Sequence, residues 1–438
     1  MNDSTSPPPT SAAAILSQPL QLPGGGVFKN RIFKAAMSEV IADPDTGAPS
    51  ERLLRLYQRW GRGGAGALIT GHVIVDRGGV GEIGNVIVED DRHLPALRRW
   101  AEAAQAHGSA LVMQINHAGR QTPRKVIKQP VAPSAVAMRG FFGAFAKPRA
   151  LTGPEIEGLV QRFATTAGVA KAAGFSGVEL HGAHGYLISQ FLSPLTNLRD
   201  DEWGGDLAGR MRFLLAVVAA VRAEVGAGFP LLVKLNSADF QRGGFGPDEA
   251  MQVARALQLA GVDLIEVTGG NYESPAMAGG GALPVQRAST VAREAYFLAY
   301  AQQLRAAVPG LPLLLTGGLR SAAAMAEVVT SGAVSAIGLA RPMAFEPDLP
   351  AHLLAGAAGA TPLTLRTRLR RINDLLQVYW YQAQIHRMAD GLEPDVGLSK
   401  WAAIWHGFRV TLFGPGRRKG DVKALPAATQ PALETRER

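Results

Sequence analysis

Cysteine is absent from the 438 residues. Its absence excludes disulfides, thiolate metal sites, iron–sulfur clusters and a cysteine nucleophile. Long uncharged apolar runs are missing as well, so no stretch has the length a bilayer-spanning helix needs. The opening "MNDSTSPPPTSAAA" lacks a basic segment followed by an apolar core, so a secretory signal is not expected. A cytoplasmic protein is expected instead, with residues 1–14 a disordered lead-in. Acidic residues are the minority sign: 36 Asp and Glu against 45 Lys and Arg give a formal net charge of +9. The basic excess gathers in "LRTRLRRIN" and "GPGRRKG". No nucleic-acid motif surrounds either, so they read as solvated faces and no nucleic-acid partner is expected.

What is present is a large apolar fraction, 47% of residues, enough for a sizeable core. Eight short apolar runs are spaced by longer helical patterns. They are "RIFKAAMS" from Arg31, "ALITGHVIVD" from Ala67, "ALVMQINH" from Ala110, "FSGVELH" from Phe175, "PLLVKLN" from Pro230, "VDLIEVTGG" from Val262, "PLLLTGG" from Pro312 and "SAIGLARPM" from Ser335. Nearly all-apolar strands belong in a parallel sheet covered on both faces. Eight strand–helix periods predict an α/β fold, a (β/α)8 TIM barrel. "GRGGAG", Gly61 to Gly66, matches a dinucleotide fingerprint but follows a helix and precedes a strand, so it is read as a turn. "PLQLPGGGVFKN" predicts an N-terminal hairpin cap on the barrel bottom. The barrel is expected over 15–360, a C-terminal helical extension over 361–415 and a disordered basic tail over 416–438.

In such a barrel the chemistry gathers at the C-terminal strand ends. The polar residues there are Ser38, Gly71 with His72, Gln114 with His117, His181, Lys234 with Asn236, Thr268, Thr316 and Arg341. Three readings compete for "HGAHGYL", His181 to Leu187. A metal site needs a third ligand, usually a carboxylate, and no acidic cluster accompanies the histidines, so no metal is expected. A satisfied polar loop is the second. The third is a donor pair, with His181 and His184 converging on one oxygen and Tyr186 supplying a proton. For Tyr186 a core position with its hydroxyl on the backbone stands equally beside the proton-donor role. Gly317 and Gly318 after strand seven, with Arg341 after strand eight, suit a phosphorylated cofactor. Lys234 lies in an apolar run, and Glu179 and Glu266 on the flanking strands are its expected partners. Trp401, Trp405, Phe408 and Phe413 could anchor a membrane-surface helix. A helix packed on the barrel, or on a second copy in a homo-oligomer, is preferred.

From about Val27 to about Leu354 the chain resembles the old yellow enzyme family, the FMN-dependent barrel ene-reductases also called NADH:flavin oxidoreductases. The resemblance rests on "HGAHGYLISQFLSPLTNLRDDEWGGDLAGRMRF", with "KNRIFKAAMSE", "MQINHAGRQ", "VKLNSADF", "TGGLRSAAAMAEVVTSG" and "IGLARPMAFEPDL". It implies FMN as cofactor and NADH or NADPH as reductant. It implies that Ala35, Ala36, Met37 and Ser38 lie along the flavin, that Gly71 and His72 pass its edge, and that Gln114 binds its pyrimidine ring. Lys234 would stabilise the reduced anion, and Gly317, Gly318, Ala340 and Arg341 would hold the phosphate. His181 and His184 match the pair that grips the substrate oxygen, and Tyr186 the proton donor. The small-molecule substrate implied is an activated alkene, an α,β-unsaturated carbonyl or nitroalkene. The alternatives are the same fold acting by oxidative demethylation or on nitro compounds or nitrate esters, or a barrel that binds flavin or phenols without turnover. Without cysteine, and with so little sequence after strand eight, the stand-alone barrel type is expected.

Overall fold

The computed structural model describes residues 11–139, 143–270, 273, 290–363, 365 and 373–413. The eight apolar runs form eight parallel strands. They are β1 (Ile32–Lys34), β2 (Ala67–Ile69), β3 (Ala110–Asn116), β4 (Gly177–Gly182), β5 (Leu231–Asn236), β6 (Leu264–Thr268), β7 (Leu313–Thr316) and β8 (Ala336–Leu339). Each pairs with its successor, β8 returns to β1 and the barrel closes. The helices are α1 (Glu51–Arg62), α2 (Leu94–Gln105), α3 (Gly153–Ala172), α4 (Leu207–Val225), α5 (Pro247–Leu259), α6 (Thr290–Ala307), α7 (Ala322–Thr330) and α8 (Leu349–Leu354), then α9 (Asn373–Ala389) and α10 (Lys400–Phe413). Side-chain caps on Ser50, Thr152, Asp206 and Ser321 satisfy the first free N–H groups of α1, α3, α4 and α7.

Period-two alternation sorts the strand residues. Phe33, Ala67, Ile69, Val112, Leu232, Leu264, Leu314 and Ala336 share one small core with Leu20, Leu22 and Phe28 of the hairpin. That hairpin, Leu20–Gln21 antiparallel to Val27–Phe28, plugs the bottom, with Phe28 edge-on to Phe33 at 4.8 Å. Such a ring pair adds about 0.5–1.5 kcal/mol beyond its buried area. The alternate residues face the helices in the larger core.

The sequence expectations need three adjustments. Strand ends fall short of the apolar runs: β1 stops at Lys34, and Ala35 to Ser38 belong to the loop above it. The lead-in expected over 1–14 is overlapped by a helix, Ala12–Leu16, capped by the Ser11 hydroxyl; residues 1–10 lie outside the described residues. "LRTRLRRIN" and "GPGRRKG" fall largely outside the described residues, and residues 416–438 do so entirely. Gly63 and Gly64 end α1 before β2, so "GRGGAG" is a helix-to-strand turn.

After the barrel, α9 and α10 pack on each other and α9 on α1. Arg52 bonds Asp390 at 2.7 Å, and Arg55 reaches the Ala389 carbonyl at 2.7 Å. Trp380 is fully buried beside Phe345, Leu376 and Ala403. The outer side of α10 leaves Trp401, Trp405 and Phe408 exposed. Among the described residues no helix is long and apolar enough to cross a membrane.

Candidate functional site

The β2, β4, β5 and β6 ends bring His72, His181, His184, Tyr186, Lys234, Asn236 and Thr268 together. Register sets His181 beside Lys234, and Lys234 beside Glu266. In the "HGAHGYL" loop His184 takes φ +59° and Gly185 φ +76°. Left-handed backbone is costly for a non-glycine residue, and the other two instances among the described residues, Val40 and Phe240, follow β1 and β5 at the same mouth.

The donor polarity of His181 follows from its bonds. The Ala183 N–H donates to His181 Nδ1 at 3.2 Å, so a neutral ring carries its proton on Nε2. Burial holds this imidazole well below its usual range, with His184, His72 and Lys234 adding to the effect. His184 is likewise held low by burial and by Lys234. Its Nε2 lies 2.9 Å from Thr268 Oγ1, and the His184 backbone N–H donates to Asn236 Oδ1 at 3.2 Å. The His181 ring is edge-on to His184 at 5.1 Å and to Tyr186 at 4.8 Å. Tyr186 is 5% exposed, so its phenol works in a nearly dry setting. Neutral imidazoles and a phenol can donate hydrogen bonds to an uncharged oxygen.

Beneath them is a polar layer. Lys234 is ion-paired with Glu266, and Gln114 Nε2 donates to Glu179 Oε2 at 2.6 Å. Burial, then the charge of Glu266, holds the Glu179 carboxyl well above the usual carboxylate range. Burial, the largest influence, would raise Glu266 too, but the Lys234 ammonium and the hydrogen bonds of Glu179, Lys234 and Thr316 together keep that carboxyl low. The layer therefore holds one cation, one anion and one neutral acid. Thr316 Oγ1, Glu179 Oε1 and Glu266 Oε2 lie buried together, where the neutral acid of Glu179 and the Thr316 hydroxyl can donate to Glu266.

On the β1–β2 side Ser38 donates to Glu82, whose carboxyl burial pushes up. Gly71 has no room for a side chain: a Cβ would meet Glu39 Oε2 at 2.0 Å and the Met37 carbonyl at 2.3 Å. Ala35 is buried and its N–H bonds the Leu339 carbonyl at 2.9 Å; Ala36 and Met37 are half-buried above it.

A second hollow opens over the β7 and β8 ends. Thr316, Gly317, Gly318, Arg320, Gly338, Ala340, Arg341, Thr361 and Tyr381 line it. Gly317 and Gly318 take φ +109° and +85°, a left-handed path that glycine follows without a Cβ penalty. Nothing would meet a Cβ on Gly317, so that backbone is open to a ligand. Burial raises the Tyr381 phenol, and Arg341 and Arg320 oppose the shift, so two guanidiniums face one hollow. Consecutive glycines and paired guanidiniums suit a phosphate. The two halves together, a buried polar layer carrying Lys234 and Gln114 and a hollow lined by Gly317, Gly318, Arg320 and Arg341, fit the flavin mononucleotide the resemblance implies. No group of three or more potential ligands for a metal ion occurs among the described residues.

Sequence reasoning missed several of these. Arg320 was given no role, although it lies inside "TGGLRSAAAMAEVVTSG" two residues past the double glycine, and Tyr381 carried no motif. Lys34 is fully buried, donates to the Ile69 carbonyl at 2.8 Å and stands over Trp60 at 4.3 Å. Burial lowers it to about 8, against the pull of Glu39. It faces the helix layer rather than the mouth, a distinction the alternation next to Phe33 could have given.

Comparison with known proteins agrees with this geometry. Residues 16–358 match the model of the NADH:flavin oxidoreductase / NADH oxidase family. The chain is 39% identical over 355 residues to the NADH-dependent flavin oxidoreductase iliE of Hypocrea jecorina, covering 76% of this chain and 87% of that one. It superposes on the old yellow enzyme homologue from Zymomonas mobilis with a TM-score of 0.68 at 26% identity, covering 82% of this chain and 98% of that one. Morphinone reductase in complex with tetrahydroNAD gives a TM-score of 0.65 at 27% identity, covering 80% and 92%. The chain spans about half the length of several longer curated relatives. A closed parallel barrel with a donor cluster and a phosphate hollow at its mouth, matched by the family model over most of its length, belongs to the old yellow enzyme family of FMN-dependent, NAD(P)H-using flavin oxidoreductases.

Proposed function

We propose that the chain reduces activated alkenes, α,β-unsaturated carbonyl compounds or nitroalkenes, at the mouth of the 15–360 barrel. The observation that carries the reading is the dry, neutral donor cluster of His181, His184 and Tyr186 above Lys234. Bound FMN supplies the hydride, taken from NADH or NADPH. Ala35, Ala36, Met37, Ser38, Gly71, Gln114 and Lys234 would hold its ring, and Gly317, Gly318, Ala340 and Arg341 its phosphate, with Arg320 added to the set. His181 and His184 donate to the carbonyl or nitro oxygen, drawing charge from the alkene and orienting it. A charged imidazole would compete for water and counter-ions, and burial prevents that charge. Tyr186 delivers a proton to the carbon beside the activating group. Lys234 would supply positive charge to the reduced ring.

Anaerobic titration of the yellow holoenzyme with NADH or NADPH tests this. Bleaching should follow, and 2-cyclohexenone should restore the colour. Colour restored only by dioxygen or a nitro compound without an alkene would overturn the alkene reading.

A further inference from the structure

His72 directly follows Gly71 and carries no role in the reading above. Its ring is held from three sides. Asn116 Nδ2 lies 2.9 Å from His72 Nδ1. His72 Nε2 lies 3.3 Å from the Tyr186 hydroxyl oxygen. The ring stacks on His181, 9° from parallel at 5.4 Å, and meets Tyr186 edge-on at 4.8 Å. An amide nitrogen offers only hydrogens, so Nδ1 is the acceptor and a neutral ring has its proton on Nε2. Burial, helped by Lys234, pushes this imidazole down to about 4, which keeps it neutral through the physiological range. Polarity therefore runs one way, from Asn116 through His72 to the Tyr186 oxygen.

We infer that His72 is a positioning residue for proton delivery: its Nε2–H donates to Tyr186 Oη, directs the phenol's own hydrogen to a partner other than His72, and stabilises the phenolate left behind. The inference rests on the proposed role of Tyr186 as proton donor. In that step the Tyr186 O–H bond breaks and a C–H bond forms at the carbon beside the activating group, while the hydride from NAD(P)H goes to the far alkene carbon. The phenolate stays beside an N–H donor until solvent returns a proton. The 3.3 Å separation is long, as catalytic hydrogen bonds often are before substrate binds.

The test is single-turnover reoxidation of the reduced holoenzyme by 2-cyclohexenone. His72→Phe keeps a ring in the stack and removes the donor; the enone step should slow by about tenfold, the usual scale of one hydrogen bond. His72→Gln, whose amide can reach the Nε2 position, should recover most of the rate. The basic limb of the pH profile should move upward in His72→Phe, because a phenolate without its donor is harder to form. In a Tyr186→Phe background, His72→Phe should add less than about twofold. Should His72→Phe fail to fold, Asn116→Ala, which unfixes the tautomer, should slow the step and lose that effect in the same background. Equal slowing with and without the Tyr186 hydroxyl, or an unmoved basic limb, overturns the role of His72. An unchanged enone step in Tyr186→Phe alone overturns the proton-donor reading beneath it.

Discussion

In the proposed reading the two halves of the barrel mouth recognise oxygen by opposite means. Over β4 to β6 the donors above Lys234 are buried imidazoles and a phenol, the imidazoles neutral because they are dry. Over β7 and β8 they are backbone groups and exposed guanidiniums, which carry positive charge. The contrast teaches what each ligand requires. A neutral carbonyl gains from donors that carry no charge and exclude solvent. A phosphate dianion needs charge and can be held in water. The first half should therefore answer to pH and packing, and the second to ionic strength.

The largest expected effect comes from the buried half. Lys234→Met leaves Glu266 charged and unpaired inside the barrel, beside Glu179. Breaking a buried pair this way costs about 3–5 kcal/mol, and urea unfolding should show it. A loss below about 1 kcal/mol would mean that water already reaches that layer, and the contrast between the halves would fail.

Acid gives the next effect. His117 is held at about 4 and His386 at about 3, chiefly by burial. Each binds its proton more readily in the unfolded chain than in the folded one, so stability rises with pH from the folded value to about 6.5 and is lost as pH falls through that window. Between pH 6.5 and 5 each imidazole should cost about 2 kcal/mol. Thermal unfolding at pH 7, 6 and 5 checks this, and a flat Tm would mean that burial does not keep these two imidazoles neutral.

The exposed half should yield the smallest change. Arg341→Ala or Arg320→Ala should weaken FMN binding by about tenfold, with a shallower dependence on salt, since one charge-assisted bond in water is worth about 1–2 kcal/mol. Fluorescence of released FMN at two salt concentrations measures both. A salt dependence unchanged by either substitution would place the phosphate elsewhere.

The barrel was legible in the sequence because strands buried on both faces read as unbroken apolar runs, and helices between them end at glycines. The strand ends were less so. Ala35 to Ser38 look like more strand, but the chain leaves the sheet after Lys34 and turns left-handed at Val40. Local motifs gave His181, His184, Gly317 and Gly318, since each lies beside a strand end. Long-range partners gave no such signal. Glu82 reaches Ser38 from the loop beyond β2, and Tyr381 reaches the phosphate hollow from α9. His72 could be placed at the mouth but not oriented, because its polarity depends on Asn116 of the neighbouring strand.

Tyr381 also sets an order of assembly. Every barrel strand is translated before α9, whereas one wall of the phosphate hollow is supplied by α9. The same helix sends His386 Nε2 to the Glu39 carbonyl at 2.8 Å, just past the loop that carries Ser38. A nascent chain released at the end of β8 would own all eight strands and lack a wall of its anion hollow. A helix made after the barrel, not the barrel itself, completes that hollow.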